Sequence, residues 1–462
     1  MKGRNRPGAK GAQGGGDVTN RAVEERPAIL LETTNQTGEV RARWAWAEPT
    51  VWTERMLTTL EEGVKGSKWY SLMDKVYALP NLRVAFARGK ANGGAAGVDH
   101  QTIDGYGYHL EENLSKLAQA LKDGTYRPQA VRRVWIDKPG SKEKRPLGIP
   151  AVRDRVAQGA LRHVLEPIFE REFAEQSYGF RPHRSCKDAL RRVDELLKAG
   201  YNWVDDADLK SYFDKIPHEP LLDRVRNKVS DGRVLDLLKV YLTQKVMDGL
   251  QGWTPEEGSP QGAIISPLLS NIYLNPLDHL MKQEGYEMVR YADDFVILCR
   301  SQVEAEKALE EVRRWTATAG LTLHPEKTRI VDATQVGGFD FLGYHFEQGK
   351  KWPRRKSLKK FKDTIRVKTS RMNGQSLSAT IADLNRKLVG WFEYFKHSRS
   401  RTFTPLDAWI RMRLRSILRQ RLGGQGRGRG LDHYRWPNSF FAKQGLFSLS
   451  GAHAQLCQSL IR

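Results

Sequence analysis

The chain has 462 residues, of which 39% are hydrophobic, and this length predicts two or three domains rather than one ordinary core. No apolar run reaches the roughly eighteen residues of a membrane span, and no apolar segment follows the basic N-terminus as it would in a secretory signal. The three cysteines lie far apart without a CxxC pair, which excludes a disulfide framework or a cysteine zinc site and fits a reducing cytoplasm (Cys186, Cys299 and Cys457).

The formal net charge of +22 is concentrated in the last quarter of the chain. Residues 350–462 contain 26 Lys and Arg but only five acidic residues, whereas residues 1–349 contain 50 basic and 49 acidic residues. An excess this concentrated repels itself unless a polyanion neutralises it. The charge distribution therefore predicts a nucleic-acid partner.

In chain order, residues 1 to about 45 are rich in Gly, Arg, Asn and Thr without periodicity, which predicts a disordered extension. From Trp52 to about Lys122, stretches such as ENLSKLAQALKDG predict helices that stop at glycine. The segment VRRVWIDKPGSKEKRPLGIP alternates apolar and polar residues around a turn and predicts a β-hairpin with a basic tip. VRDRVAQGALRHVLEPIFEREF predicts an amphipathic helix interrupted at Pro167.

Strands and helices then follow in mixed order. NWVDDADLKSYFD predicts a strand leading into a turn, and QGAIISPLLSNIYLNPLDHLM predicts a helix entered through a Gly-Pro-rich loop. MVRYADDFVILC predicts strand, tight turn and strand, and EAEKALEEVRRWTATAG predicts a helix closed by Gly320. This order favours an α+β fold over a doubly wound sheet.

After Gly349 the sequence becomes strongly basic and predicts a separate helical domain. TPLDAWIRMRLRSILRQRLGG places apolar residues on one helical face, as in an ordinary bundle helix (Leu406, Trp409, Ile410, Leu414, Ile417 and Leu418). Arg411, Arg415 and Arg419 populate another face, and no acidic residues are spaced along the helix to pair with them. We therefore predict one buried face and one anion-binding face.

Two adjacent carboxylates, Asp293 and Asp294, precede the apolar residues 295–299, and such a pair needs positive charge nearby. The predicted hairpin turn lets them converge with Asp208, which ends another predicted strand. Oxygen ligands without histidine or cysteine indicate Mg²⁺, and two such ions serve in polymerases. Each piece alone is a weak signal, because an Asp at a strand end is usually a turn or cap residue.

The ordered set of motifs closely resembles the group II intron-encoded reverse transcriptases, also called intron maturases. The resemblance covers roughly residues 55 to 450 and includes the basic segment LNRKLVGWFEYFK (384–396). The other motifs are GGAAGVDHQTI (93–103), KPGSKEKRPLGIPAVRDRVAQGAL (138–161), QSYGFRPHRSCKDAL (176–190), ADLKSYFDKIPH (207–218), GSPQGAIISPLLSNIYL (258–274), YADD (291–294), LTLHPEKTRI (321–330) and GFDFLGYHF (338–346).

This resemblance implies an α+β right-hand polymerase, with fingers and palm, followed by an α-helical thumb or maturase domain. The expected divisions are a disordered basic, Gly-rich extension (1–50), an N-terminal segment with the fingers (51–205), the palm with the active site (206–349), the thumb or maturase domain (350–432) and a nucleic-acid-binding tail (433–462).

The resemblance also implies the catalytic residues. Asp208 and Asp293 would bind two Mg²⁺ ions, with Mn²⁺ as an alternative, while Asp294 supports them and the Leu209 carbonyl is a backbone ligand. Phe213 would lie under the sugar of the incoming nucleotide and collide with a 2′-OH; core packing is the alternative role.

Further positions would contact the nucleotide. Lys138 and Arg145 would clasp its triphosphate, although a one-residue slip in the alignment would replace Arg145 by Lys144, and a solvated basic loop is the alternative. Gln261 would sit beside the nucleotide and template, and Gly262 allows close backbone approach.

Two more positions are less strongly indicated. Lys327 is a weaker candidate for protonating the departing pyrophosphate, since it is equally well explained as a surface lysine. Arg181, in GFRP, would touch the template backbone.

The function implied by the resemblance is RNA-directed DNA synthesis by an intron-encoded protein that also assists splicing and retrohoming. Its partners would be the intron RNA, a DNA target or primer and deoxynucleotides, and it would not bind membranes. It would act as a monomer or homodimer in the bacterial cytoplasm and would associate with the nucleoid when bound to its DNA target. A related enzyme recruited to DNA repair, phage defence or CRISPR adaptation remains an alternative, as does a maturase that only binds RNA. Phe213 argues against an RNA-dependent RNA polymerase.

Many members of this family carry a zinc-binding HNH endonuclease domain. After residue 350 the sequence has one cysteine and three histidines without metal-ligand spacing. We therefore expect this domain to be absent and synthesis to start from a nick, a fork or an existing 3′ end.

Overall fold

The computed structural model describes residues 35–137, 144–372 and 374–461. Up to residue 242 the helices are α1 (Asn35–Arg43), α2 (Glu54–Glu62), α3 (Met73–Val76), α4 (Leu79–Asn92), α5 (Ile103–Tyr108), α6 (Leu110–Asp123), α7 (Val152–Glu170), α8 (Cys186–Lys198), α9 (Tyr212–Lys215), α10 (His218–Arg226) and α11 (Gly232–Leu242). The later helices are α12 (Ser266–Gln283), α13 (Gln302–Thr318), α14 (Arg355–Lys368), α15 (Leu377–Phe395), α16 (Phe403–Arg421), α17 (Asp432–Arg435), α18 (Asn438–Lys443) and α19 (Leu449–Ile461). Short 3-10 helices occur at Lys65–Ser67 and Ser400–Thr402.

The strands are β1 (Val131–Asp137), β2 (Lys144–Ile149), β3 (Trp203–Asp208), β4 (Val246–Asp248), β5 (Gln251–Trp253), β6 (Glu287–Tyr291), β7 (Asp294–Cys299), β8 (Arg329–Asp332), β9 (Phe339–Phe341), β10 (Tyr344–Glu347) and β11 (Lys350–Pro353). They form a hairpin sheet in the order β2-β1-β4-β5, a central sheet in the order β6-β7-β3-β8 and a small sheet in the order β11-β10-β9. The predicted mixture of helices and sheets is confirmed.

Several local predictions are confirmed by these elements. Strands β1 and β2 pair antiparallel as the predicted hairpin; its tip, residues 138–143 including Lys138, lies outside the described residues. Helix α6 ends at Gly124 (φ 73°) and α13 ends just before Gly320 (φ 67°), so both glycines occupy the left-handed region that favours them at helix ends.

The prediction of a disordered extension up to residue 45 is wrong for residues 35–43, which form α1; residues 1–34 lie outside the described residues. Tertiary contacts stabilise this helix despite its poor composition. Val40 is buried in the main core, and the Arg41 guanidinium donates to the Trp52 carbonyl oxygen at 2.9 Å. Arg43 pairs with Glu61 of α2.

Helix α7 is continuous through Pro167, so the predicted interruption is wrong. Proline lacks the N–H that would bond the carbonyl four residues earlier, that of His163. The Trp52 indole donates to this carbonyl at 2.9 Å instead, which satisfies the buried oxygen. Almost every residue of α7 from Val156 to its end is buried, so the helix is a core element rather than the amphipathic one predicted.

The central sheet separates two hydrophobic cores. Phe295 and Ile297 of β7 point into the core shared with α12 and α13, while Val296 and Leu298 point into the core shared with α8, the small sheet and α14 to α16. This alternation is the period-two pattern of a strand with both faces buried. The ends of β3 and β7 are thereby held rigidly. Within the described residues, no helix has the length and apolar character needed to cross a lipid bilayer.

Candidate active site at the end of the central strands

The register of the central sheet brings together carboxylates from two distant segments. Strands β3 and β7 are antiparallel neighbours, and Asp208, the last residue of β3, stands directly opposite Asp294, the first residue of β7. Cα atoms opposite each other in antiparallel strands lie about 4.5 to 5.5 Å apart. Asp293 precedes Asp294 in the turn from β6, where Ala292 has a positive φ of 61°. The predicted strand, tight turn and strand are confirmed, with the three carboxylates at one end of the sheet.

These carboxylates repel one another in a partly desolvated site. Burial raises the pKa of Asp293, and the charge of Asp208 raises it further. Burial raises the pKa of Asp294 to about 7, with additional contributions from Asp293, Asp206 and Asp208. Burial is therefore the main cause of both shifts, and repulsion between the neighbouring carboxylates adds to it.

One cation does reach the site. The Lys327 ammonium donates to Asp208 Oδ2 at 2.5 Å. The backbone holds this loop in place, because the His324 N–H donates to the Asp208 carbonyl at 2.7 Å and the Lys210 N–H donates to the Thr322 carbonyl at 2.8 Å. Lys327 is therefore next to the candidate catalytic carboxylate rather than on a remote surface.

A second cation, which the sequence analysis did not identify, supports the turn from beneath. Arg290 and Asp278 are both fully buried, and the guanidinium donates to both Asp278 oxygens at 2.7 and 2.5 Å. Arg290 also donates to the Ala292 carbonyl at 2.8 Å, to Asn271 Oδ1 at 3.0 Å and to Ser177 Oγ at 2.7 Å. Arg290 thus ties the turn that presents Asp293 to α12; its only sequence signal was an arginine within an apolar strand.

The segment 176–180 packs against the same turn. A Cβ at Gly179 would lie 2.3 Å from the Ala292 nitrogen, so only glycine fits there without a shift. Asn271 Nδ2 donates to the Gly179 carbonyl at 2.8 Å, and the following Phe180 has a positive φ of 59°. A bulky residue rarely adopts that conformation, and its strain indicates that the surrounding contacts determine the backbone.

The hairpin sheet contacts the SPQG loop next to the site. The Gly148 N–H donates to the Gln261 carbonyl at 2.6 Å, and a Cβ at Gly262 (φ 108°) would lie 2.4 Å from the Gly148 oxygen. Strand pairing places Arg145 opposite Ile136 and Lys144 opposite Asp137, so the two cations lie on opposite faces. Arg145 shares its face with Leu147, whose side chain approaches Gly262.

Phe213 is half-buried and lines a cavity of about 920 Å³ between the hairpin sheet and the loop that includes Ser259 and Pro260. The ring also packs against the main core, which agrees with the packing role, whereas its contact with a nucleotide sugar stays a prediction. The candidate carboxylates do not line this cavity. Leu209 is buried and forms an isolated bridge with Leu323, which fixes the backbone directly after Asp208.

The carboxylate oxygens of the site suit a divalent cation that binds together with the phosphates of a substrate. In the described part of the chain, no three acidic, histidine or cysteine side chains are arranged to hold a metal ion by themselves. Mg²⁺ is typically bound by one or two carboxylates and completes its octahedron with water and substrate phosphates. The carboxylate oxygens of Asp208 and Asp294, paired across β3 and β7, and of the adjacent Asp293 fit that mode of binding.

Arg181 is not available as predicted. Its side chain is 8% exposed, and the guanidinium donates to Glu170 at 2.7 and 2.9 Å and to the carbonyls of Ala174 and Ser177. These contacts bury the guanidinium and use most of its N–H groups, so the prediction that Arg181 touches a template is wrong for this structure. The residue instead braces the segment that packs on the turn between β6 and β7.

The predicted anion-binding face of α16 also requires correction. Arg415 is 3% exposed and donates to the Trp436 carbonyl and to Asn438 Oδ1, both at 2.9 Å. Arg419 pairs with Asp432 at 2.8 Å, an acidic residue outside the helix that helical spacing could not reveal. Arg411 is half-buried, and its Nε is buried without a hydrogen-bond partner among the described residues. The apolar face is confirmed at Leu406, Ile410, Leu414 and Ile417.

Family models match two adjoining parts of the chain. A model described as reverse transcriptase (RNA-dependent DNA polymerase) matches residues 136–346, which include all three candidate carboxylates. A model described as group II intron, maturase-specific domain matches residues 358–436, which include most of α14 and all of α15 and α16. The first match thus contains the central sheet, and the second contains C-terminal helices.

Individual relatives agree with these matches. Group II intron-encoded protein LtrA of Lactococcus lactis subsp. cremoris is 41% identical over 202 residues, which cover 43% of this chain and 33% of the relative. Protein YkfC of Escherichia coli strain K12 is 32% identical over 342 residues, covering 66% of this chain and 85% of the relative. A chain of a partial Cas6-RT-Cas1–Cas2 complex aligns with a TM-score of 0.35 and 22% identity over 54% of this chain and 42% of that chain, values too low to support an inference.

Proposed function

The chain belongs to the family of group II intron-encoded reverse transcriptases with a maturase domain, and from this premise we propose that it is an RNA-directed DNA polymerase. The alignment spans only a third of LtrA, so activity, substrates and partners are proposed for this chain on its own geometry. The observation that carries the proposal is the pairing of Asp208 with Asp294 across β3 and β7. This pairing gathers carboxylates from two distant segments at one end of the central sheet.

The proposed reaction joins a primer 3′-OH to the α-phosphorus of a deoxynucleotide and breaks the bond to pyrophosphate. Asp208 and Asp293 would hold two Mg²⁺ ions, with Asp294 and the Leu209 carbonyl in support. Held by these residues, the ions would supply Lewis-acid chemistry that favours loss of the 3′-OH proton and offsets charge on the leaving oxygen. Lys327 would donate a proton to the departing pyrophosphate, and the contact of its ammonium with Asp208 supports this proposal.

The remaining nucleotide contacts follow from the hairpin sheet. Arg145 lies on the face that approaches Gly262, which favours it over Lys144 as the residue that binds the triphosphate. Lys138 stays a proposal for the same role. Gln261 is fixed through its carbonyl to the hairpin, so that its side chain can lie beside the nucleotide and template. Phe213 would contact the sugar and exclude a 2′-OH.

In this proposal the hairpin sheet belongs to the fingers, the central sheet is the palm and α14 to α16 form the thumb or maturase domain. The C-terminal helices would bind the intron RNA during splicing, and the polymerase would then copy that RNA into DNA during retrohoming. The match of residues 358–436 to the maturase-specific model supports the RNA partner. We place this activity in the bacterial cytoplasm, with a monomer or homodimer as the acting species.

Primer extension with purified full-length protein tests the proposal. A DNA primer annealed to an RNA template should be extended with deoxynucleotides and Mg²⁺, and chelation of the metal should abolish extension. An absence of extension with undiminished RNA binding would identify the chain as an RNA-binding maturase only and would overturn the polymerase proposal.

A further inference from the structure

The segment between α16 and α18, residues 422–436, exposes a cationic surface that the predicted arginine face of α16 did not include. We call it the arginine loop. Its sequence, LGGQGRGRGLDHYRW, contains one acidic residue, Asp432. Its exposed side chains are Leu422, Gln425, Arg427, Arg429, Leu431, His433, Tyr434 and Arg435.

Asp432 is used internally to hold the loop. One carboxylate oxygen, Oδ2, accepts the Arg429 N–H at 2.9 Å and Arg419 Nη1 at 2.8 Å. Arg419 Nε also donates to the Gln425 carbonyl at 2.8 Å. The acidic residue of the loop is therefore neutralised by α16, and the outer surface keeps only positive charge.

A second set of contacts seats the middle of the loop on α16. The Gly428 N–H donates to Ser416 Oγ at 3.2 Å, and a Cβ at Gly428 would lie 2.5 Å from the Arg415 Cβ. Arg415 in turn holds the end of the loop through the Trp436 carbonyl. Arg415 and Arg419 therefore support the arginine loop from below, and the side chains that face solvent belong to the loop itself.

The side chains of Arg427 and Arg429 form no ion pair or hydrogen bond with other described residues, so their donors are available to a ligand. Tyr434 is 85% exposed and Leu431 is 82% exposed beside them. Cations interleaved with an exposed aromatic ring suit an RNA strand, because phosphates pair with guanidinium groups and an unpaired base stacks on the ring. An acidic protein surface would use the cations but would leave the ring without a base to stack on.

We propose that the arginine loop binds folded RNA, with Arg427 and Arg429 contacting phosphates and Tyr434 stacking on an unpaired base. The inference rests on the proposed function in that the C-terminal helices bind RNA, and it names the residues of this region that make the contact. It assigns RNA affinity to a rigidly seated loop rather than to the buried arginines of α16.

The decisive variant is Asp432→Ala, which removes an acidic residue and raises the net charge by one. If RNA affinity followed net charge alone, the variant would bind more tightly. Because Asp432 holds the loop, we expect binding to a labelled RNA stem-loop with an unpaired loop to weaken by roughly fivefold or more. Tighter or unchanged binding by a variant with an unaltered melting temperature would overturn the proposal.

A second comparison removes equal charge at two places. Arg427→Gln with Arg429→Gln should reduce the slope of log affinity against log salt by about 1 to 2, as expected for two lost phosphate contacts. The control, Lys307→Gln with Arg314→Gln, removes two exposed cations of α13 and should leave RNA affinity nearly unchanged. Equal losses in both pairs, or a loss with duplex DNA but none with RNA, would overturn the proposal.

Failure of this inference is distinguishable from failure of the proposed function. Primer extension by the unmodified protein measures polymerase activity, whereas the contribution of the arginine loop is measured only by RNA affinity. A protein that binds the stem-loop through the arginine loop but extends no primer would retain the inference and lose the polymerase.

Discussion

Arg290 and Asp278 form a fully buried ion pair directly beneath the turn that presents Asp293. Three further hydrogen bonds satisfy the guanidinium, including one to the Ala292 carbonyl inside the turn. The turn that presents Asp293 is thereby anchored to α12 by a fully buried side chain. Arg290, three positions before Asp293, therefore supplies part of the positive charge that was predicted near the paired aspartates.

Arg290→Met should destabilise the protein strongly, because it leaves Asp278 buried without its partner. Breaking a buried ion pair typically costs about 3–5 kcal/mol. Urea denaturation would measure this cost. The double variant Arg290→Met with Asp278→Leu removes both charges and should recover part of the loss. If the single variant unfolds at the same urea concentration as the unmodified protein, the ion pair is not a structural anchor.

Gly179→Ala should impair catalysis, since the added methyl would lie 2.3 Å from the Ala292 nitrogen and must displace the turn. Overpacking of this kind typically costs about 1–3 kcal/mol. We expect the extension rate to fall by about tenfold or more, as expected from a small misplacement of reacting groups. Gly232→Ala is the matched control, because open space surrounds that position. Equal extension rates for the two variants would show that the close approach of Gly179 has no catalytic role.

His163 is buried as a neutral ring with a partner on each nitrogen. Arg88 Nη1 lies 2.8 Å from Nε2 and can only donate, so Nε2 accepts and Nδ1 donates to Asn81 Oδ1 at 2.8 Å. Burial lowers the pKa of His163 to about 3, and the charges of Arg88 and Arg162 add to this effect. In the unfolded chain the ordinary pKa is 6.5.

This difference predicts a loss of stability in acid. Below pH 6.5 the His163 ring becomes protonated in the unfolded chain, whereas in the folded state it stays neutral down to about pH 3. The free energy of unfolding therefore decreases as the pH falls from 6.5 to about 3. The contribution is at most about 1.4 kcal/mol per pH unit. Urea denaturation between these limits would measure the slope, and His163→Gln should reduce it. An unchanged slope in that variant would assign the acid sensitivity to other groups.

Phe213→Ala should allow ribonucleotides to compete with deoxynucleotides if the ring contacts the sugar. We expect the preference for deoxynucleotides to fall by roughly tenfold to a hundredfold, the range associated with loss of a steric contact. Single-nucleotide incorporation with each sugar would measure the ratio. Phe213→Tyr keeps the ring and should keep the selectivity. A preference that survives Phe213→Ala would leave the residue with a packing role alone.

Local patterns predicted the elements around the active site well. Strands β3, β6 and β7 and the turn between the latter two follow from apolar runs broken by acidic residues, and Asp208 was placed correctly opposite the paired aspartates. Such features depend on residues close together in sequence. The roles assigned to Gln261 and Phe213 remain predictions, since geometry locates these residues but does not show a bound nucleotide.

Features that depend on distant partners were missed. Helical spacing on α16 did not reveal the acidic partner of Arg419, because Asp432 lies in the arginine loop that follows the helix. The predicted break at Pro167 failed because Trp52, more than a hundred residues earlier, bonds the freed carbonyl. Arg181 was expected to touch the template backbone, but its guanidinium is bound by Glu170 of the preceding helix. In each case a tertiary contact satisfied a group that local reasoning left open.

The single-turnover incorporation rate on an RNA template, compared between Asp208→Asn and Asp332→Asn, tests the shared carboxylate site most directly. Both substitutions remove one negative charge from the central sheet, but Asp332 lies at the opposite end, paired with Trp203. The account predicts a fall of roughly a thousandfold or more for Asp208→Asn with template affinity retained, and a rate close to that of the unmodified protein for Asp332→Asn. Similar rates for both variants would contradict it.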